Sequence, residues 1–116
     1  MAITRAYELM IIVDGDVADS DVPPIITRTE TVISEEGGRV VSTDNWGRRR
    51  FAYEIDHKNE GVYVVWEIVT EAPGLPGVER QLRLADDIGR HKLFRLPDHE
   101  AARRGLLGEA TPASAG

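Results

Sequence analysis

The order in which apolar periodicities follow one another along the chain constrains its fold more than any other feature. Residues 6–14 form a short run rich in Ile and Val, and the alternation within it indicates a strand. An amphipathic helical pattern follows, from a cap at Ser20 or Asp21 to about Glu36. Gly37 and the glycine after it predict the helix end, because glycine adopts the left-handed cap conformation at little cost. The chain therefore begins with a strand and a helix.

Two further strands are predicted to form a hairpin. Residues 39–56 have strand character at both ends, and Asn45 and Gly47 between them indicate a bulge or a sharp twist. A loop is predicted at 57–61. The run VYVVWEIV that follows, residues 62–69, alternates so that apolar side chains line both of its faces. We expect these two strands to pair antiparallel.

A short helix and a last strand complete the pattern. The spacing of Leu75, Val78 and Leu82 predicts the helix, although glycine and proline are frequent at its start. Residues 90–96 predict the strand, which Pro97 ends. The sequence thus predicts an α+β fold of the ferredoxin-like type, a βαββαβ sandwich in which a four-stranded antiparallel sheet carries two helices on one face and leaves the other face open.

The length and composition predict one domain and a tail. A chain of 116 residues has room for a single core, which we assign to residues 1–97. Residues 98–116 become rich in Ala, Gly and Ser, which predicts a frayed helical turn and then a flexible C-terminal tail. No apolar run approaches the roughly 20 residues of a membrane span. We therefore expect a cytoplasmic protein that does not enter a membrane.

The sequence offers little for catalysis or metal binding. There is no cysteine, so disulfides and thiolate zinc sites are excluded. His57, His91 and His99 are spread over a loop, a strand and the tail, without the spacing of metal ligands. Phosphate-binding glycine loops, dinucleotide fingerprints and nucleophile elbows are absent. We expect no metal, no cofactor, no small-molecule substrate and no enzymatic activity.

Charge is distributed unevenly along the chain. The formal net charge is −6, and residues 1–38, with two basic and eight acidic side chains, account for all of it. A surface that binds a polyanion must therefore be local. The candidates are the three arginines at 48–50 and a second basic set, Arg90, Lys92 and Arg95.

The string WGRRRFAY concentrates positive charge beside aromatic rings. On a strand, Arg48 and Arg50 project to one side and Arg49 to the other, together with Phe51 and Tyr53. Guanidinium groups bind phosphates and stack on bases, and the neighbouring tryptophan adds an aromatic plane, so this combination suits RNA. An equally weighted alternative is a solvated edge strand whose charges block aggregation, with the tryptophan packed at a twist.

Two residues of the first strand also admit alternatives. Tyr7 is expected at the edge of the core, with its hydroxyl at the rim. Glu8, on the opposite face, is either solvated or paired with Arg50 or Arg90.

Four strings of the sequence carry a resemblance to a known family: RAYELMIIVD, GGRVVSTDNWGRRRFAYEI, EGVYVVWEI and RHKLFR. Their order and spacing resemble those found in the bacterial small-subunit ribosomal protein six family, particularly in its actinobacterial members. The similarity covers about residues 5–96, and W-G-R-R-x-x-A-Y-x-I is its most specific part. The chain departs from the family pattern at Gly89 and His91 and in its Gly- and Pro-rich second helix.

The resemblance implies a non-catalytic, structural constituent of the small subunit of the cytoplasmic ribosome. It implies binding to small-subunit ribosomal RNA in the central-domain platform, together with ribosomal protein eighteen. The family motifs and the local charges together give eight candidate RNA-binding residues: Arg5, Trp46, Arg48, Arg49, Arg50, Tyr53, Arg90 and Lys92. Contact with the protein partner is expected at an exposed sheet edge or face, through apolar side chains such as Phe94 or Val65. The alternative function is a ligand-sensing module or a small dimeric enzyme of the same fold.

Overall fold

A computed structural model describes residues 4–55 and 57–107. The elements, in chain order, are β1 (Arg5–Asp14), a 3-10 turn (Asp19–Asp21), α1 (Val22–Glu35), β2 (Arg39–Ile55), β3 (Lys58–Thr70), α2 (Pro76–Leu84), β4 (Ile88–Arg95) and α3 (Asp98–Arg103). The strands form one antiparallel sheet in the order β2-β3-β1-β4. This architecture confirms the predicted ferredoxin-like α+β fold. Among the described residues, no helix is long and apolar enough to cross a membrane.

The main core lies between the sheet and the helices α1 and α2. Alternate residues of the two central strands, β1 and β3, point into it, as the period of two requires. Leu9, Ile11, Val64 and Trp66 are fully buried there. Because these strands occupy the middle of the sheet, they carry most of the apolar side chains that hold the helices in place.

Helix α1 follows the sequence pattern closely. Val22, Ile25, Thr29 and Ile33 are buried at the spacing of one helix face. The helix ends where Gly37 adopts a φ of 89°, a left-handed conformation that glycine accepts without strain. The predicted start and end of this element are therefore matched by the structure.

Two hydrogen bonds to one carboxylate fix α1 to the sheet. The indole Nε1 of Trp66 donates to Oε2 of Glu30 on α1 at 2.9 Å, and the hydroxyl of Thr43 on β2 donates to the same oxygen at 2.6 Å. Trp66 is completely buried, so its indole N–H needs a partner within the protein, and Glu30 supplies it. One side chain of α1 thus satisfies donors from both β2 and β3.

We expect Glu30→Ala to lower the free energy of unfolding by about 1–3 kcal/mol, because it leaves the buried indole N–H without an acceptor. Glu30→Gln, which keeps an acceptor oxygen, should recover part of this loss. Urea denaturation of both variants measures the difference. Glu35→Ala removes an exposed carboxylate from the same helix and serves as the control. Equal unfolding free energies for Glu30→Ala and Glu35→Ala would contradict this role of Glu30.

Strand β2 is long and irregular. Its register against β3 shifts between Val40 and Ser42, between Asn45 and Gly47, and again beyond Arg50. Gly47 has a φ of 84°, so the irregularity predicted around it is present. The hairpin turn is shorter than the predicted loop at 57–61, because β3 already begins at Lys58 and its first residues pair with β2.

The chain returns to the sheet after β4. The sequence predicts a boundary at residue 97 with a tail beyond it, and residues 98–107 are the described part of that tail. They form α3 and the turn that follows it, and this segment packs against the sheet face opposite α1 and α2. Ala101 and Leu106 are buried there against Ala6, Val69 and Leu96. Residues 108–116, which the predicted tail also includes, lie outside the described residues.

Candidate nucleic-acid interface

The sheet face opposite α1 and α2, which we call the open face, is organised in rows across the strands. Residues at matching register positions share a face in antiparallel pairs. Two rows run from β4 through β1 to β3: Arg90, Ile12 and Tyr63, and then Lys92, Met10 and Val65. A third row, closer to α3, holds Phe94, Glu8 and Glu67. The open face is therefore basic and apolar at one end and acidic near α3.

A cluster of three rings occupies the β2 side of the basic end. Trp46 stacks on Tyr63 with a centroid distance of 6.4 Å and an interplanar angle of 10°, and Phe51 meets Tyr63 edge-on at 6.4 Å and 72°. The guanidinium carbon of Arg49 lies 5.6 Å from the centroid of the Trp46 ring, within cation–π range. We call Trp46, Phe51 and Tyr63 the aromatic cluster.

The bulge in β2 brings Trp46 into this cluster. Gly47 lies opposite Tyr63, and its N–H donates to the side-chain oxygen of Asn45 at 2.8 Å. The indole of Trp46 donates to Oδ2 of Asp44 at 3.1 Å, which orients the ring. Trp46 nevertheless remains 45% exposed, so it keeps an accessible aromatic surface.

Cations flank the apolar centre of the open face on both edge strands. Arg49 lies on β2, and Arg90 and Lys92 lie on β4, three strand spacings or roughly 14 Å away. No carboxylate within residues 4–55 and 57–107 forms an ion pair with any of the three. Because their charge is not neutralised inside the described chain, it is available to an anionic ligand.

Arg48 makes contacts of a different kind. Its guanidinium donates to the backbone oxygens of Gly15 at 2.8 Å and Val17 at 2.7 Å, and to the carboxylates of Asp19 and Glu60 at 2.8 and 3.0 Å. These hydrogen bonds, chiefly those to Asp19, raise the pKa of Arg48 above its ordinary value. The side chain holds the connection between β1 and α1 against the hairpin.

The remaining candidates lie apart from the aromatic cluster. Arg5, at the start of β1, donates to the backbone oxygen of Glu71 at 3.0 Å. It is nine residues along the sheet from the level of Arg49, roughly 30 Å. Arg50 is exposed and lies opposite Glu60 in the register. Tyr53 is 77% exposed in the part of β2 where the register with β3 is broken.

The structure thus brings four of the eight candidates to the basic end of the open face: Trp46, Arg49, Arg90 and Lys92. Sequence reasoning missed two rings that complete the site, Phe51 and Tyr63. Gly61 makes room for Phe51, since a Cβ atom there would lie 3.3 Å from its Cζ atom and 2.5 Å from Cγ2 of Ile12. The signal for Tyr63 was its alternation with Trp66 along β3, which places it on the open face.

A cavity of about 510 Å³ continues the basic surface around the β4 edge. Arg83, Arg90, His91 and Lys92 line it, above apolar side chains that include Leu82. No cluster of three or more potential metal ligands occurs in the described part of the chain. The arrangement can hold phosphates and flat apolar rings, and it shows no converging set of carboxylates suited to acid–base chemistry.

Comparison with known proteins identifies relatives over most of the chain. A family model described as Ribosomal protein S6 matches residues 6–95. The small ribosomal subunit protein bS6 of Acidothermus cellulolyticus is 42% identical over 94 residues, which cover 81% of this chain and 97% of that protein. The bS6 protein of Streptomyces coelicolor is 38% identical over 95 residues, covering 82% of this chain and 99% of its own.

A solved structure agrees with these matches. The crystal structure of 30S ribosomal protein S6 from Thermotoga maritima superposes with a TM-score of 0.80 at 31% identity, covering 88% of this chain and 96% of that one. The sequence matches and the structural match therefore identify the same family as the motifs do. The chain belongs to the ribosomal protein S6 family, whose members are structural proteins of the small subunit of the cytoplasmic ribosome rather than enzymes.

Proposed function

We propose that this chain binds small-subunit ribosomal RNA in the central-domain platform through the basic end of its open face, jointly with ribosomal protein eighteen. One observation carries the proposal: Arg49 lies against the aromatic cluster, Arg90 and Lys92 lie across the apolar centre of the same face, and no described carboxylate forms an ion pair with any of the three. Cations around exposed rings form the combination that binds single-stranded or looped RNA.

The chemistry assigns different roles to the two kinds of side chain. Arg49 and Arg90 can form bidentate hydrogen bonds with phosphate oxygens, and Lys92 acts as a point charge. Phosphate contacts of this kind fix the orientation of a protein on RNA and read little sequence. Trp46, already oriented by its contacts with Tyr63 and Asp44, offers a surface on which an unpaired base can stack.

The acidic surplus of the chain is compatible with this proposal because it lies elsewhere. The acidic excess falls within residues 1–38, and much of it belongs to the β1–α1 connection and to α1, which covers the face opposite the proposed site. A basic protein partner such as ribosomal protein eighteen would offset the remaining repulsion from RNA. Phe94 is 48% exposed on the open face, whereas Val65 is only 8% exposed. Phe94 is therefore the stronger of the two candidate anchors for that partner.

Arg49→Ala should weaken binding to central-domain RNA by about 1 kcal/mol, or roughly fivefold, and reduce the salt dependence of binding by about one phosphate contact. The measurement is a salt titration of RNA affinity in the presence of ribosomal protein eighteen. Arg80→Ala, which removes an exposed arginine from α2 on the other side of the sheet, is the matched control. If the two variants had identical binding curves, the assignment of Arg49 would be wrong.

A further inference from the structure

Helix α3 covers the acidic end of the open face. Ala101 on the helix and Leu106 just after it pack on Ala6, Val69 and Leu96. The helix has only six residues and no side-chain hydrogen bond at its N-terminal cap. Such a short helix is not stable by itself, so α3 depends on what holds it against the sheet.

The strongest polar contact between this segment and the sheet is made by Arg104, directly after the helix. Its Nη1 atom lies 3.1 Å from Oε1 of Glu8 on β1 and 3.1 Å from Oε2 of Glu67 on β3, while its Nε atom donates to Glu100 at 2.6 Å. Hydrogen bonds from Arg103 and Arg104 hold the pKa of Glu100 at about 2. One guanidinium therefore bridges both central strands and the helix.

Glu8 and Glu67 need a cation between them. They are directly opposite one another in the β1–β3 register, a position in which two like charges destabilise a sheet. Within the described residues, Arg104 is the only basic side chain that pairs with either of them. If α3 left the sheet, the pair would be exposed beside Phe94, the proposed anchor for the protein partner.

We propose that α3 is a strap that Arg104 closes over the acidic end of the open face, and that it opens when a basic segment of the protein partner takes over the Glu8–Glu67 pair. The identity of that partner rests on the proposed function. The charge of the pair selects a basic segment, and the position already occupied by Arg104 shows that a guanidinium fits between the two carboxylates. Opening would also uncover Ala6, Val69 and Leu96, which would extend the apolar surface that begins at Phe94.

Hydrogen exchange of the full chain tests the closed strap without any partner. The amides of Arg104 and Leu106, which donate to Glu100 and Ala101, report on α3. Arg104→Ala should accelerate their exchange about tenfold, because a short helix held by ion pairs opens locally when they are lost. Arg103→Ala removes an arginine that pairs with Glu100 and not with the sheet, so its effect should be less than about twofold. Equal exchange in the two variants would overturn the strap.

Titration with purified ribosomal protein eighteen tests the opening. We expect Arg104→Ala to bind it about three- to tenfold more tightly than the wild type, because the internal competitor is gone. The double variant Glu8→Gln/Glu67→Gln also frees α3 but lacks the carboxylates, so it should bind more weakly than Arg104→Ala. On binding to the wild type, the partner should increase exchange at the Leu106 amide.

Two results would overturn the opening: weaker binding of Arg104→Ala than of the wild type, or stronger protection of α3 in the complex. Either would mean that α3 belongs to the surface that binds the partner. If ribosomal protein eighteen bound no variant, with or without RNA, the proposed function and the opening by that partner would both fail. Hydrogen exchange in the Arg103→Ala and Arg104→Ala variants would still decide whether the strap exists.

Discussion

Alanine at Arg49, Arg90 and Lys92 together is expected to weaken binding to central-domain RNA by about two orders of magnitude at physiological salt. Each side chain is assigned one phosphate contact worth about 1 kcal/mol. Arg49 lies on β2, and the apolar centre of the open face separates it from Arg90 and Lys92 on β4, so its effect should add to that of the β4 pair. The salt dependence should fall by the equivalent of about two to three released counterions.

A matched triple variant separates this site from a general loss of charge. Arg39, Arg80 and Arg103 are exposed and lie away from the aromatic cluster, and their replacement by alanine changes the net charge by the same amount. Filter binding or fluorescence anisotropy over a series of salt concentrations, with ribosomal protein eighteen present, gives both affinities. Comparable losses for the two triple variants would show that overall charge, and not the open face, controls RNA binding.

Leu9→Ala is expected to lower the free energy of unfolding by about 2–5 kcal/mol. Leu9 is fully buried at the middle of β1, where it pairs with Trp66 on one side and Leu93 on the other. The substitution removes apolar contacts from the central strand and leaves a cavity that a sheet paired on both sides cannot close. For a domain of this size, such a loss is a large part of the total stability.

Leu84→Ala provides the same chemical change at the surface. Leu84 is 69% exposed at the end of α2, so its replacement should change stability by no more than about 0.5 kcal/mol. Thermal or urea unfolding of the two variants gives the comparison. A Leu9 variant as stable as the Leu84 variant would mean that the core is not centred on β1.

Much of the fold could be predicted because the spacing of apolar residues and the positions of glycine and proline indicate the same element boundaries. The alternation of Leu9 and Ile11 and the helical spacing of Ile25 and Ile33 leave each element one side to bury, and Gly37 ends the first helix where expected. The order of those elements then selects the ferredoxin-like arrangement, because short connections between neighbouring elements allow few other topologies.

The site was predictable only in part, because its geometry depends on irregularities. Alternation along β2 places Arg49 and Arg48 on opposite faces, and the structure has them there. It does not reveal that the bulge beside Gly47 brings Trp46 onto Tyr63, nor that Arg48 is occupied by the β1–α1 connection.

The carboxyl-terminal segment shows the limits of composition. Its Ala- and Gly-rich sequence indicates low stability, and a local pattern cannot show that Ala101 and Leu106 find an apolar patch on a distant sheet face. For the same reason, the prediction that Glu8 pairs with Arg50 or Arg90 was wrong. The contact is with Arg104, which lies 96 residues away in sequence.

We propose that this chain and ribosomal protein eighteen bind central-domain RNA together, through the open face of this chain. The most direct test measures the affinity of purified small-subunit central-domain RNA for the wild-type chain alone, for ribosomal protein eighteen alone and for the two together, across a salt series. We predict tight, salt-dependent binding only when both proteins are present. Absence of binding by the pair, with ribosomal protein eighteen shown to be folded and competent, would contradict the account.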